Sequence, residues 1–116
     1  SAADQAAAEQ VIETARRAID GTLNKVDVLI GPTLRVAPPL AGARRVRFGT
    51  EEIPVVRALL SETCPFNVSG HPALAMPLAD RIGNVPVSLQ LAARDDMGLS
   101  QSPARYALLW ADLLDT

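Results

Sequence analysis

Residues 63–93, TCPFNVSGHPALAMPLADRIGNVPVSLQLAA, decide the fold. Turn formers and apolar runs alternate there: Pro65, Pro72, Pro77 and Pro86 punctuate the stretch and bracket the apolar segments 74–78 and 85–93. In the second segment Val85, Val87, Leu89 and Leu91 alternate with Pro86, Ser88 and Gln90, the two-residue period of a strand with one buried face. Residues 80–84 make the return, so strands over 73–78 and 85–93 are predicted to form an antiparallel hairpin. Residues 66–70 read as a turn or a single helical turn leading into it. Asn67 and Ser69 can bond nearby backbone groups there, and Gly70 tolerates an unusual φ.

Outward from the hairpin toward the N-terminus, residues 50–62 are predicted to form a short helix. Thr50 would cap it, Glu51 and Glu52 suit its positive end, Pro54 is tolerated in its first turn, and Ile53, Val56 and Leu60 would face the core. Residues 31–49 carry Pro32, Pro38, Pro39, Gly42 and the basic cluster Arg44, Arg45 and Arg47 without a sustained period. They are expected to form a long loop, poorly ordered when the chain is isolated, with the arginines solvated. The β-branched run 26–30 predicts a strand covered on both faces and stopped by Gly31 and Pro32. Before it, residues 4–26 are Ala-rich, with Ile12, Ala15, Ile19, Leu23 and Val26 at helical spacing and Asp4 as the expected N-cap.

Toward the C-terminus, residues 94–98 read as a polar loop, and Ser102 followed by Pro103 marks the start of a last helix. Tyr106, Leu109, Trp110, Leu113 and Leu114 would form its apolar stripe, expected to cover the sheet. The sum is an α/β fold over a single domain, residues 1–116: a small mixed sheet with a C-terminal hairpin, covered by helices.

Composition narrows the function. A 48% hydrophobic content excludes a disordered chain, while 3% aromatic content means that the core is built from Ala, Val, Leu and Ile. The formal net charge of −2 gives no electrostatic reason to expect nucleic acid or an anionic membrane as a partner. No apolar run approaches the roughly 18 residues of a transmembrane helix. Cys64 is the only cysteine and cannot form an intrachain disulfide, so a reducing, cytoplasmic setting is expected. The chain opens with Ser1-Ala2-Ala3 rather than Met, which suggests an expression scar or an excised piece of a longer protein.

Candidate chemistry is sparse. Cys64 and His71 are close enough in sequence to suggest a thiol–imidazole pair, but a buried thiol and a structural or surface imidazole are the simpler expectation. One His and one Cys with scattered carboxylates give no zinc-ligand spacing, so no metal site and no cofactor are expected. The only lysine, Lys25, sits where it complements a helix end.

The segment Thr63-Cys64-Pro65-Phe66-Asn67-Val68-Ser69-Gly70-His71-Pro72-Ala73 resembles the Thr-x-Pro-Phe-Asn-x-Thr/Ser-Gly-x-Pro-Ala segment of the amidase signature family. Pro86-Val87-Ser88-Leu89-Gln90-Leu91 is similar to the Pro-Val-Gly-Leu-Gln-Leu segment that follows it there. A second point of resemblance is Asp27-Val28-Leu29 with Pro32 and Thr33, which matches the family's Asp-Val-Leu-Leu-x-Pro-Thr strand. The departures are Ser88 and Ala93 where the family usually has Gly, and Ala79-Asp80 in place of Cys-Gly.

The resemblance implies the C-terminal portion of an amidohydrolase acting on carbon–nitrogen amide bonds. The family's serine–serine–lysine catalytic elements belong to a Gly/Ser-rich region absent from this sequence, so no residue here is expected to be catalytic and the chain alone is expected to be inactive. It also implies that Leu60, Thr63, Phe66 and Asn67 line part of the substrate pocket in the complete enzyme, which would act on a small amide. The expected partner is the missing N-terminal amidase portion or a second copy of the chain. The alternative is a non-catalytic amidase-like module for assembly or partner binding.

Overall fold

The computed structural model describes residues 1–94 of the 116, so the expected loop over 95–98 and the expected last helix lie outside the described residues. The chain begins with helix α1, Ala2–Leu23, and Ser1 rather than Asp4 is its N-cap. The Ser1 hydroxyl accepts from the Asp4 amide at 3.2 Å while the Asp4 carboxylate reaches back to the Ser1 nitrogen at 3.0 Å, a capping box one turn earlier than expected. Along one side Ile12, Ala15 and Ile19 are half-buried and Leu23 is fully buried, but Val26 falls beyond the helix and stays exposed.

Strand β1, Val28–Pro32, runs through the Gly and Pro that were expected to stop it. It pairs antiparallel with β5, Val85–Ala93, which pairs in turn with β4, Ala73–Ile82, so the sheet order is β1-β5-β4 and every pairing is antiparallel. The predicted hairpin is therefore present, with a longer first strand. A two-residue loop joins it, and Gly83 at φ 64° supplies the left-handed backbone that such a turn favours. Between Pro77 and Arg81 the register slips, and the far end of β4 is exposed.

The stretch expected to be loop and then helix is instead a second hairpin. Strands β2, Arg45–Phe48, and β3, Glu51–Pro54, pair antiparallel, and helix α2 is confined to Val55–Leu60. The pairing sets Arg47 opposite Glu52 and Val46 opposite Ile53, so charges meet charges and aliphatics meet aliphatics across the strands. Ile53 is buried as expected, but Val56 and Leu60 are exposed and Ala58 takes the buried place on α2. The remaining loop, residues 33–44, is tied down: Arg35 pairs with Glu62 at 2.7 Å and lies 5.1 Å over the Phe48 ring.

Of the turn or single helical turn expected over 66–70, the structure has the helical form, begun two residues earlier as helix α3, Cys64–Ser69. Pro65 lies in its first turn, where no amide bond is lost, and Gly70 ends it at φ 78°, its amide donating to the Phe66 carbonyl at 3.0 Å. Among the described residues the innermost are Leu23, Ala58, Leu91, Ala92 and Ala93, with the polar Ser69, His71 and Gln90 also buried.

Candidate functional site

Two places combine burial with polar side chains. The first is a cleft of about 220 Å³ where α1, β1, α3 and β5 converge, with Ile19, Leu29 and Phe66 as apolar walls and Glu62 and Gln90 as polar ones. Gln90 stands on the strand face that alternation assigns to solvent, yet it is buried. Its amide nitrogen donates to the Glu62 carbonyl at 2.6 Å and to the Pro32 carbonyl at 3.2 Å, so both N–H groups are used and the carboxamide is fixed. The Glu62 carboxylate is committed as well, accepting from Arg35 at 2.7 Å and from the Ser61 hydroxyl at 3.4 Å. The cleft is thus an apolar slot with an oriented, uncharged amide at one end, suited to holding an uncharged group rather than to ionising a nucleophile.

The second place joins α1 to the start of β4. His71 accepts or donates through both ring nitrogens: Nδ1 lies 2.8 Å from the Ser69 hydroxyl and Nε2 lies 2.9 Å from the Asp20 carboxylate. The Arg16 guanidinium donates to the Ser69 carbonyl at 3.1 Å beside them. A Ser–His–Asp sequence of contacts invites comparison with a hydrolytic triad, but the exposures run the wrong way. Asp20 is 53% exposed, whereas the His71 ring is 4% exposed and Ser69 is buried. The Gly70 amide, which would have to donate to a developing oxyanion, is already bonded to the Phe66 carbonyl. We assign the array as a tether between two segments 51 residues apart.

The Cys64 thiol is exposed, not buried as expected, and with both ring nitrogens of His71 occupied no thiol–imidazole pair is formed. Among the described residues no group of three or more His, Cys, Asp or Glu side chains is placed to hold a metal ion. Likewise, no described helix is long and apolar enough to cross a membrane.

The four residues assigned to a pocket by resemblance are not gathered into one. Phe66 lines the 220 Å³ cleft, whereas Leu60 lines a shallow apolar depression with Val56 and Cys64. Thr63 lies between them, its carbonyl accepting from the amides of Phe66 and Asn67, each at 3.2 Å, and Asn67 is exposed on α3. What the sequence reading missed is Gln90, Glu62 and the α1 wall. The glutamine of the Leu89-Gln90-Leu91 motif was the available signal, since a polar residue inside a recognisable strand motif has a reason beyond solvent exposure.

Comparison with known proteins places these features. A family model described as Amidase matches residues 1–96. The chain is 33% identical over 90 residues to an uncharacterized Rhodococcus erythropolis protein encoded in the nthA 5' region, covering 75% of this chain and 43% of that one. It is 32% identical over 93 residues to an enantioselective amidase of Rhodococcus rhodochrous, covering 78% of this chain and 18% of the relative. A crystal structure of an amidase superposes with a TM-score of 0.74 at 28% identity, covering 81% of this chain and 21% of that chain. The chain therefore spans less than half the length of the relatives it matches. With sequence model, relatives and fold in agreement, the chain belongs to the amidase family.

Proposed function

We propose that this chain contributes sheet and one wall of the substrate cleft to an amidase, and that the residues that attack the carbon–nitrogen amide bond come from the rest of an amidase polypeptide. The observation that carries this reading is the cleft beside Phe66. It offers an apolar slot and a fixed carboxamide, while Gln90, Glu62 and His71 are all committed to partners within the chain. Such a surface can position an uncharged amide but has no free base to activate a hydroxyl. Phe66 would touch substrate directly; Leu60, Thr63 and Asn67 would shape the rim once the remaining polypeptide closes over them. The substrate in the complete enzyme is a small amide. The exposed thiol of Cys64 suits a reducing compartment, and we place the protein in the cytoplasm on that ground.

The test is amide hydrolysis by the purified chain alone and in the presence of the Rhodococcus rhodochrous amidase from which the matched segment has been deleted. No turnover by the chain alone and measurable turnover by the mixture are expected. Turnover by the chain alone would overturn the reading. Binding without turnover would favour a non-catalytic assembly module.

A further inference from the structure

The cleft between α1, β1, α3 and β5 holds one hydrogen-bonding atom that the described chain leaves unused. Gln90 is 6% exposed, and its Nε2 donates to the Pro32 and Glu62 carbonyls at 3.2 and 2.6 Å. Two carbonyl acceptors fix which end of the carboxamide is the nitrogen, so Oε1 is turned away from both. Among the described residues nothing donates to that oxygen, yet it is not sealed from solvent, and Gln90 lines the cleft. A buried carboxamide that spends both N–H groups on the chain and keeps its oxygen open is an acceptor without a donor.

The space beside it is kept by Gly31, which stands directly opposite Gln90 across the β1–β5 pairing and so shares its face of the sheet. Gly31 does not have a left-handed φ, so its backbone does not call for glycine, and a Cβ there would meet no atom within 4 Å. What the glycine supplies is room. Ile19, Leu29 and Phe66 wall that room with apolar surface, and the Glu62 carboxylate that borders it is paired with Arg35 at 2.7 Å. The place suits an uncharged ligand with an N–H to give.

Resting on the reading of this cleft as a substrate wall, we infer that Gln90 Oε1 accepts an N–H of the substrate amide in the space beside Gly31, and that this contact selects amides over esters of the same shape. An amide brings the donor that Oε1 lacks. An ester brings only acceptors, so it would leave the oxygen desolvated and unpaired, and sites built around a hydrogen bond reject such analogues for that reason. Gln90 thereby has two roles: its nitrogen clasps residues 32 and 62 to β5, and its oxygen determines specificity.

N-methylbenzamide and methyl benzoate are the probes, since they have nearly the same shape and differ by an N–H against an ether oxygen. Each is titrated into the isotope-labelled chain, alone and mixed with the Rhodococcus rhodochrous amidase lacking the matched segment. Affinities are read by nuclear magnetic resonance from the backbone amides of Leu29, Gly31 and Phe66 and the side-chain amide of Gln90. Gln90→Met removes the acceptor at nearly constant volume. Gly31→Val is the second variant: it suits a strand, keeps every backbone group and fills the room beside Gln90. Both variants are first compared with the wild type by circular dichroism and thermal unfolding.

We expect the wild type to bind N-methylbenzamide at least about fivefold more tightly than methyl benzoate, the equivalent of one net hydrogen bond. Gln90→Met should bring the two affinities within about twofold of each other, and Gly31→Val should weaken both at least about tenfold. Equal affinities in the wild type, with both probes shifting the cleft residues, would overturn the role of Oε1 and leave the proposed function intact. So would an amide preference that survives in folded Gln90→Met. Should Gln90→Met not fold, the two probes on the wild type and on Gly31→Val decide the matter, an amide preference there that Gly31→Val abolishes supporting the assignment. Failure of both probes to shift the cleft residues, with and without the amidase polypeptide, would count against the proposed function itself and take this inference with it.

Discussion

The two hairpins of this protein are built to different standards. The β4–β5 hairpin gains a third strand, β1, and carries the buried run Gln90, Leu91, Ala92 and Ala93. Among the described residues the β2–β3 hairpin stays two-stranded, buries only Ile53 and presents Arg45, Arg47, Glu51 and Glu52 to solvent. A two-stranded hairpin is marginal by itself in water, whereas three strands with an apolar face are not. The difference teaches that stability is concentrated where strands distant in sequence meet, and that the β2–β3 hairpin is held by its neighbours: Arg35 on Phe48 and the Arg44 carbonyl accepting from the Val55 amide.

The sharpest way to break this contrast is Leu91→Ala. Leu91 is fully buried between Ile30 and Leu74 on the flanking strands, so truncation should cost about 2–5 kcal/mol in a urea unfolding experiment. A cost under about 1 kcal/mol would mean that the sheet is not the stable half. His71→Ala is expected next, at about 1–3 kcal/mol, because it leaves the buried Ser69 hydroxyl with only its 3.4 Å bond to the Phe66 carbonyl and releases Asp20 on α1. Its signature would be faster hydrogen exchange along α1 with β5 still protected.

Ile53→Ala should leave the global unfolding midpoint nearly in place and instead speed amide exchange over residues 45–54, since opening the small hairpin need not open the sheet. A global shift as large as that of Leu91→Ala would erase the distinction between the two regions. Arg45→Ala should change stability by under about 1 kcal/mol, because its pairing with Glu52 at 3.9 Å is solvent-exposed.

The smallest effect is one of pH. The Ser1 hydroxyl, and after it the terminal ammonium, hold the Asp4 carboxyl below its usual range. A carboxyl depressed in the folded state stabilises at pH above its unfolded value, and that contribution disappears as pH falls through the folded value. Fraying of the first turn of α1 on acidification, abolished by Asp4→Asn, is the outcome to look for by nuclear magnetic resonance.

Periodicity was enough where one face met one core. The strand over 85–93 and the helical spacing of Ile12, Ala15, Ile19 and Leu23 are both present in the fold, although β5 is covered on both faces toward its end rather than on the one face its alternation predicts. The second hairpin was illegible for a physical reason: Thr50-Glu51-Glu52 is equally a helix start and the opening of a strand. Cross-strand pairing of Glu51 with Phe48 and of Glu52 with Arg47, not local preference, decides between them. The cleft was hidden in the same way. Gln90 alternates like a solvent-facing residue, and its burial depends on carbonyls 58 and 28 residues away. The tether of His71 to Asp20 likewise spans a distance no local pattern encodes.

The pairing of β1 with β5 has a consequence for the order in which the molecule assembles. β4 and β5 meet across a two-residue loop, but Ile30 must find Leu91 across about sixty residues of chain. Closing the long loop comes at an entropy cost that the short one avoids, so the local hairpin forms first and β1 docks late. The strand that arrives last is also one that, among the described residues, has a neighbour on one side alone.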